Sequence, residues 1–281
     1  MDVDVFMKSY FRALGGYVAR MGIAPDQFMA GMKRGITAMA ANDSGHANAE
    51  SFWPEFLACI DMPEGVTAET LQAAIGDFYE NEFGELGADV QPNPAAARAI
   101  EALVAKGYPL VLATMPMFPR RAVEWRLRWA GIDPAVFSRI TTFENSTAVK
   151  PKPDYYAENL AAAGVEGRDV LMVGNNTKED LAACQLGCEG FLVTDFLIDP
   201  VGFEVFSVRH GSMEKFADWV DSLPECADPA QGVSDAIVPA AVRERVLAAC
   251  GIADGQAGGA KTLEEAGRSG GTDFVINGME E

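Results

Sequence analysis

Four short stretches hold the side chains best suited to grip a phosphoryl group or a metal ion. They are Thr114 in LATMP, Lys150 in VKPKP, the run GNNTKED with Asn175, Asn176, Glu179 and Asp180, and an acidic pair near the start, Asp2-Val3-Asp4. A hydroxyl, an ammonium and a polar, partly acidic loop together make a reasonable phosphate site, with a divalent cation sharing the charge of the anion. Lys152, two residues on in the same K-P-x-P, is the alternative to Lys150. Each position also has a plainer reading. The plainer reading of Thr114 is a strand-end hydroxyl bonded to backbone, that of Lys150 a solvated loop lysine, and that of Asp180 an acid at a helix N-terminus.

The acidic pair at the start fails a physical test. No apolar strand precedes Asp2, and Phe6 already belongs to a helical stripe. MDVDV therefore reads as the approach to a helix whose N-terminus Asp2 or Asp4 caps. His46 and His210 lie far apart with no acid cluster beside them, and both read as surface or loop residues.

These side chains must be carried by elements, and the sequence shows two rhythms. From 5 to 88 it is helical: Phe6, Tyr10, Leu14, Tyr17, Val18 and Met21 recur at steps of three and four, then Phe28, Met29, Met32, Ile36 and Met39. A short helix follows over 52–57, and TAETLQAAIGDFYENEF begins with a capping box at Thr67 and Glu69. After PNP at 92–94, helices alternate with apolar strands: helix AAARAIEALVAKG, strand YPLVLAT, helix RRAVEWRLRWAG, strand RITTF, helix DYYAENLAAAG, strand DVLMVG, helix TKEDLAACQLG, strand GFLVT. Strands apolar on both faces argue an α/β fold, a parallel sheet covered by helices on each side. In such sheets ligands bind beyond the carboxyl ends of the strands, which is where Thr114 and GNNTKED stand. The organisation is an all-α domain over 1–88, an α/β domain over 89–224 and an extension over 225–281. Within that extension, PAAVRERVLAACG forms a helix, DGQAGGAKTLEEAGRSGG a flexible segment and TDFVIN a last strand.

Composition narrows the partners. The 281 residues carry 22 Lys plus Arg against 41 Asp plus Glu, a net charge of -19 that repels nucleic acid and anionic membranes. No signal peptide or membrane-spanning run is present, so a cytoplasmic protein is expected. The cysteines, 5 in number with no C-x-x-C, give neither a disulfide framework nor a zinc site, and Cys184 and Cys188 read as buried thiols.

At Thr114, Lys150 and VGNNTKED the chain resembles the haloacid dehalogenase superfamily. Its members are mostly Mg2+-dependent phosphatases with a Rossmann-like core and a helical cap. ATMPMFPRRAVEWRLRWAGI and VKPKPDYY are similar to the branch whose α-helical cap is inserted after the first strand, and the resemblance covers about residues 5–224. It implies that residues 1–88 are the cap. It further implies that Thr114 holds a phosphoryl oxygen, that Lys150 is the third-motif lysine and that Asp180 is the later fourth-motif acid. Where the family places a metal-binding acid, one or two residues after the Gly, this chain has an amide, Asn175 or Asn176, whose oxygen ligates Mg2+ more weakly for want of formal charge.

The family also needs an Asp nucleophile and an Asp acid/base in D-x-D-x-T directly behind the first strand. Here Val5-Phe6 stand in place of x-T, and no strand lies behind. The expected consequence is two facing strand edges left unpaired, with TDFVI as the candidate filler, although its Asp273 would sit at the wrong end of the strand. The expected function is a phosphatase-type hydrolase fold for a small phosphorylated metabolite, with little or no turnover as written. The alternatives are a catalytically dead member that binds a ligand or protein, and a dehalogenase. Oligomeric state is left open.

Overall fold

The computed structural model describes residues 3–252. Asp2, the Gly-rich segment, TDFVIN and Asp273 lie outside the described residues. The chain divides into two compact units, Met1–Asn93 with Val111–Ala148, and Pro94–Leu110 with Val149–Glu281.

In the first unit the helices follow from the apolar spacing. Helix α1 (Val3–Ala19) turns Phe6, Tyr10, Leu14 and Val18 inward, one per turn, and all four are buried. It starts at Val3, which puts Asp4 in its first turn. Helix α2 (Pro25–Ala41) opens on a proline at N1, where the missing N–H costs nothing. Helix α3 (Asn48–Leu57) lies close against α2, because Gly31 and Gly35 offer no Cβ to Phe56 and Phe52. Helix α4 (Ala68–Asn81) is capped by Thr67, whose Oγ1 accepts from the Thr70 amide (3.2 Å) while Thr70 Oγ1 accepts from the Thr67 amide (2.8 Å). The box closes on Thr70 and not on Glu69, since N3 is the position whose side chain reaches back to the cap.

Strand β1 (Val111–Leu112), helix α6 (Arg120–Trp129) and strand β2 (Arg139–Ile140) complete this unit, and helix α5 (Pro94–Ala105) belongs to the other. Strands β1 and β2 are parallel, with Val111 opposite Arg139 and Leu112 opposite Ile140. The core is largely aromatic. Phe83 stacks on Trp129 at 5.3 Å, Tyr10 packs edge-on to Phe118, and the hydroxyls of Tyr10 and Tyr79 meet at 2.6 Å. The indole N–H groups of Trp125 and Trp129 donate to the carbonyls of Tyr79 and Gly84, both at 3.0 Å, so neither is buried unanswered.

In the second unit, strands β3 (Leu171–Gly174), β4 (Glu189–Val193) and β5 (Arg209–Gly211) form a parallel sheet in that order. Helices α5 and α8 (Met213–Ser222) share a core with it, in which Ala95, Ala99, Phe191, Phe216 and Val220 are buried. Helix α7 (Pro153–Ala163) ends at Gly164, whose φ of 66° closes the helix in the left-handed region. Helix α9 (Ala240–Ala249) packs on α7 and adds an ion pair, Arg243 Nε to Asp154 Oδ1 at 3.1 Å. The stretch before α9 is also attached, the amides of Cys226 and Ser234 donating to the carbonyls of Lys106 and Ala162, both at 2.8 Å.

The α/β character and the parallel pairing match the sequence expectation, with differences of detail. The helix expected over TKEDLAACQLG is a 3-10 turn, Leu181–Leu186, stopped at Gly187 with φ 87°. His210 is not a loop residue: it lies in β5, and its Nδ1 is 2.9 Å from the Val208 carbonyl. Cys188 is buried as expected, but Cys184 is exposed. The ladders are shorter than the apolar runs. Among the described residues β1 pairs only with β2, and β3 only with β4, so each has one edge without a strand partner. Both are half-buried throughout, whereas Phe191, Leu192 and Val193 of β4 are buried. No helix among the described residues is long and apolar enough to cross a membrane.

Two measurements check this packing. A Cβ on Gly87 would lie 2.1 Å from the Trp129 ring, so Gly87→Ala should cost about 1–3 kcal/mol and lower the melting temperature by about 3–9 °C. Burial pushes the Cys188 thiol up to about 11, with the thiols of Cys184 and Cys250 adding to the shift. The unfolded thiol titrates near about 8.5, so this contribution to stability is whole below that pH and is lost as pH rises through about 11. Thiol titration at pH 8 should therefore label Cys184 in the native protein and Cys188 only after unfolding.

Candidate functional site

The loop after β3 is built around one ion pair. Lys150 Nζ lies 2.7 Å from Asp180 Oδ1, with the two side chains 6% and 10% exposed. The second oxygen, Asp180 Oδ2, accepts from the Asn176 amide at 2.9 Å. Removing two charges from water costs several kcal/mol per ion, and that cost is offset only when the remaining polar sites are also answered. Gly174 makes this possible sterically, since a Cβ there would stand 2.1 Å from Asp180 Oδ2. Asn176 turns the loop: its Oδ1 accepts from the amides of Lys178 and Glu179, both at 3.0 Å. That Asx turn answers two amides in the manner of a helix N-cap, and the segment that follows is 3-10.

Lys150 precedes the first residue of α7 by three positions, and its Nζ is 5.8 Å from the ring centre of Tyr155. It is not a solvated loop lysine. Lys152 stands at the N-cap of α7, and its side chain makes no cap hydrogen bond.

A second segment, absent from the sequence expectation, fastens the same loop. Asn175 Nδ2 donates to the Phe196 carbonyl (2.7 Å), the Ile198 amide to the Asn175 carbonyl (2.8 Å), and the Thr177 amide to the Ile198 carbonyl (3.0 Å). Thr177 Oγ1 donates to Asp199 Oδ1 at 2.7 Å, and this bond, with amides from the turn at Val201–Phe203, holds the Asp199 carboxyl below its ordinary range. The available signal was Asp199-Pro200 followed by Gly202, a turn signature with a carboxylate positioned to accept amides.

Thr114 belongs to the other compact unit. Its amide donates to Thr141 Oγ1 (2.8 Å) and its hydroxyl to the Thr141 carbonyl (3.0 Å), so the end of β1 is tied to the residue after β2. The hydroxyl proton is spent on backbone, and any oxygen offered to it must compete with that carbonyl. Of the residues singled out in the sequence, the structure brings together Lys150, Asp180 and Asn176; Asn175 lies in the same loop, bonded to Phe196.

A divalent cation does not fit this donor set as it stands. Among the described residues no group of three or more His, Cys, Asp or Glu is placed to hold a metal. Asp180 has one oxygen on an ammonium and the other on an amide, while Asn176 Oδ1 already serves two amides. A cation would have to displace Lys150 and would gain no second negative ligand.

Comparison with known proteins bears on this site. The family model of haloacid dehalogenase-like hydrolases matches residues 11–186. Among solved structures, the chain is similar to a predicted phosphoglycolate phosphatase from Haemophilus somnus, at 14% identity and a TM-score of 0.43, over 74% of this chain and 88% of that one. It is also similar to a HAD phosphatase from Thermococcus onnurineus, at 16% identity and a TM-score of 0.46, over 79% and 93% of the two chains. No protein of curated function matches.

The ion pair is testable by denaturant unfolding. Lys150→Met alone or Asp180→Leu alone should each cost about 3–5 kcal/mol by stranding a buried charge, and the double variant should cost less than the sum. Strict additivity would mean that the two groups do not rely on each other.

Proposed function

The chain belongs to the haloacid dehalogenase-like hydrolase family, and on that premise we propose that it is a phosphatase-type fold for a small phosphorylated metabolite whose nucleophile segment is not among these residues. The observation that supports this reading is the buried Lys150–Asp180 pair in the loop after β3. Such a pair adds little to stability compared with apolar packing, and the place of Asp180 beyond the carboxyl end of β3 supports a ligand-binding role.

In this reading Lys150 meets the charge of the phosphoryl group, Asp180 holds Lys150 in place, and Thr114 gives up its bond to the Thr141 carbonyl to hold a phosphoryl oxygen. The family's reaction begins with attack of an aspartate oxygen on phosphorus. Asp4, the nearest N-terminal candidate, sits in the first turn of α1 and not at the end of a strand. The family generally uses Mg2+, and the paired, amide-rich donor set described above leads us to expect weak binding here. A second reading, a family member that binds without turnover, is favoured by Asn175 and Asn176, amides that are bound into their own loop and its neighbour.

Two experiments separate these readings. The chain as given should hydrolyse no p-nitrophenyl phosphate with or without Mg2+, and calorimetric titration should show Mg2+ binding weaker than about 1 mM. Fusing an apolar strand that ends in D-x-D-x-T ahead of Asp2 should create Mg2+-dependent turnover, which Lys150→Ala lowers about 100-fold or more. A fused chain that folds and stays inert would leave the binding role standing.

A further inference from the structure

Asn48 opens α3, and its side chain is fully buried. A buried carboxamide brings one acceptor and two donor hydrogens, each costly to leave unanswered. Here all are used. Nδ2 donates to the carbonyls of Pro116 and Ala148, both at 3.2 Å, and Nδ2 of Asn42 reaches the bridging chain of Asn48 through Oδ1 at 2.9 Å. The backbone reinforces the same join, the amide of Asn48 donating to the Ser146 carbonyl and that of Ala49 to the Phe143 carbonyl, both at 2.8 Å. The first amides of α3, which at other helices are met by a cap or by water, are met here by the loop at 143–146.

The two carbonyls held by this one side chain are placed tellingly in the sequence. Pro116 ends the stretch Thr114-Met115-Pro116, and Ala148 lies two residues before Lys150. The surroundings are dry, since Pro116, Ser146, Thr147 and Ala148 are all buried. We propose that Asn48 is a positioning residue for phosphate binding at Thr114: one carboxamide ties the loop that carries Thr114 to the segment ending at Ala148, and anchors both to helix α3. The inference rests on reading Thr114 as a phosphate ligand. It explains why an amide occupies a fully buried helix start, because only a double donor satisfies two carbonyls at once. An aspartate of the same shape would set a negative oxygen against them.

The test uses the full chain and inorganic phosphate as the probe. Asn48→Asp and Asn48→Ala should weaken phosphate about tenfold in a 31P NMR titration, and should raise amide exchange about tenfold or more at 114–118 and 143–148. Leu14→Ala, which removes a buried apolar side chain from the same unit, should lower the melting temperature while leaving phosphate affinity and exchange in those two loops unchanged. Asn42→Ala keeps both carbonyl contacts but strips Oδ1 of its donor; it should move both readouts in the same direction by less, and it decides the matter if the Asn48 variants do not fold. Exchange and affinity within twofold of the wild type in the Asn48 variants would overturn the proposal, as would an equal effect from Leu14→Ala. Absence of phosphate binding in the wild type would overturn the reading of Thr114 and Lys150, and the exchange data would still decide whether Asn48 holds the two loops.

Discussion

An ammonium kept from water must be met by a carboxylate, and the carboxylate's other oxygen must be met in turn. The loop after β3 is arranged around that demand. Lys150 needs Asp180, and Asp180 needs the Asn176 amide and the space left by Gly174. Asn176 then spends its own oxygen on the amides of Lys178 and Glu179, and the turn that follows is 3-10. The segment at 196–199 fastens the outer side of the loop through Asn175 and Thr177. Each step answers a polar group that the previous step left over, and so the arrangement tolerates no single deletion cheaply.

The helical unit obeys a different rule. Its core is made of rings, and rings pack tightly only where the opposing backbone lacks a Cβ. Gly31, Gly35 and Gly87 supply those gaps opposite Phe56, Phe52 and Trp129. Within this apolar mass the polar seam through Asn42, Asn48, Asn145 and Ser146 is an exception, and every one of these residues is buried and hydrogen-bonded. A seam of this kind fixes direction and register where ring contacts alone would permit sliding.

The helices were legible because a burial period of three to four residues is written into one stretch of chain, as Phe6 to Val18 show. The parallel α/β character was legible for a similar reason, since YPLVLAT and DVLMVG are apolar on both faces. Strand length was not, because a ladder depends on its neighbour as much as on its own residues. At the site, the individual residues Lys150 and Asp180 stood out, but the pairing of the two, thirty positions apart, is tertiary information. Thr141, the partner of Thr114, gave no local sign. Asn48 was invisible for a sharper reason: its partners are carbonyls, and a carbonyl has the same identity at every residue. Strand β5 was missed because VRHGS carries no alternation, and the strand is defined by Phe191, Leu192 and Val193 alongside it; helix α8 was missed although Met213, Phe216 and Val220 stand at steps of three and four.

The edges of β1 and β3 that have no strand partner among the described residues bear on the behaviour of the protein in bulk. A strand edge is a template for any extended chain, and these two lack the usual deterrents, since Val111, Leu112, Leu171, Met172 and Val173 include no charge and no proline. What keeps copies apart is then the charge of the whole molecule, -19 at neutral pH. That repulsion vanishes near pH 4.5, where the summed charge crosses zero. Resistance to self-association is thus a long-range electrostatic property of this chain, and mild acid or high salt weakens it.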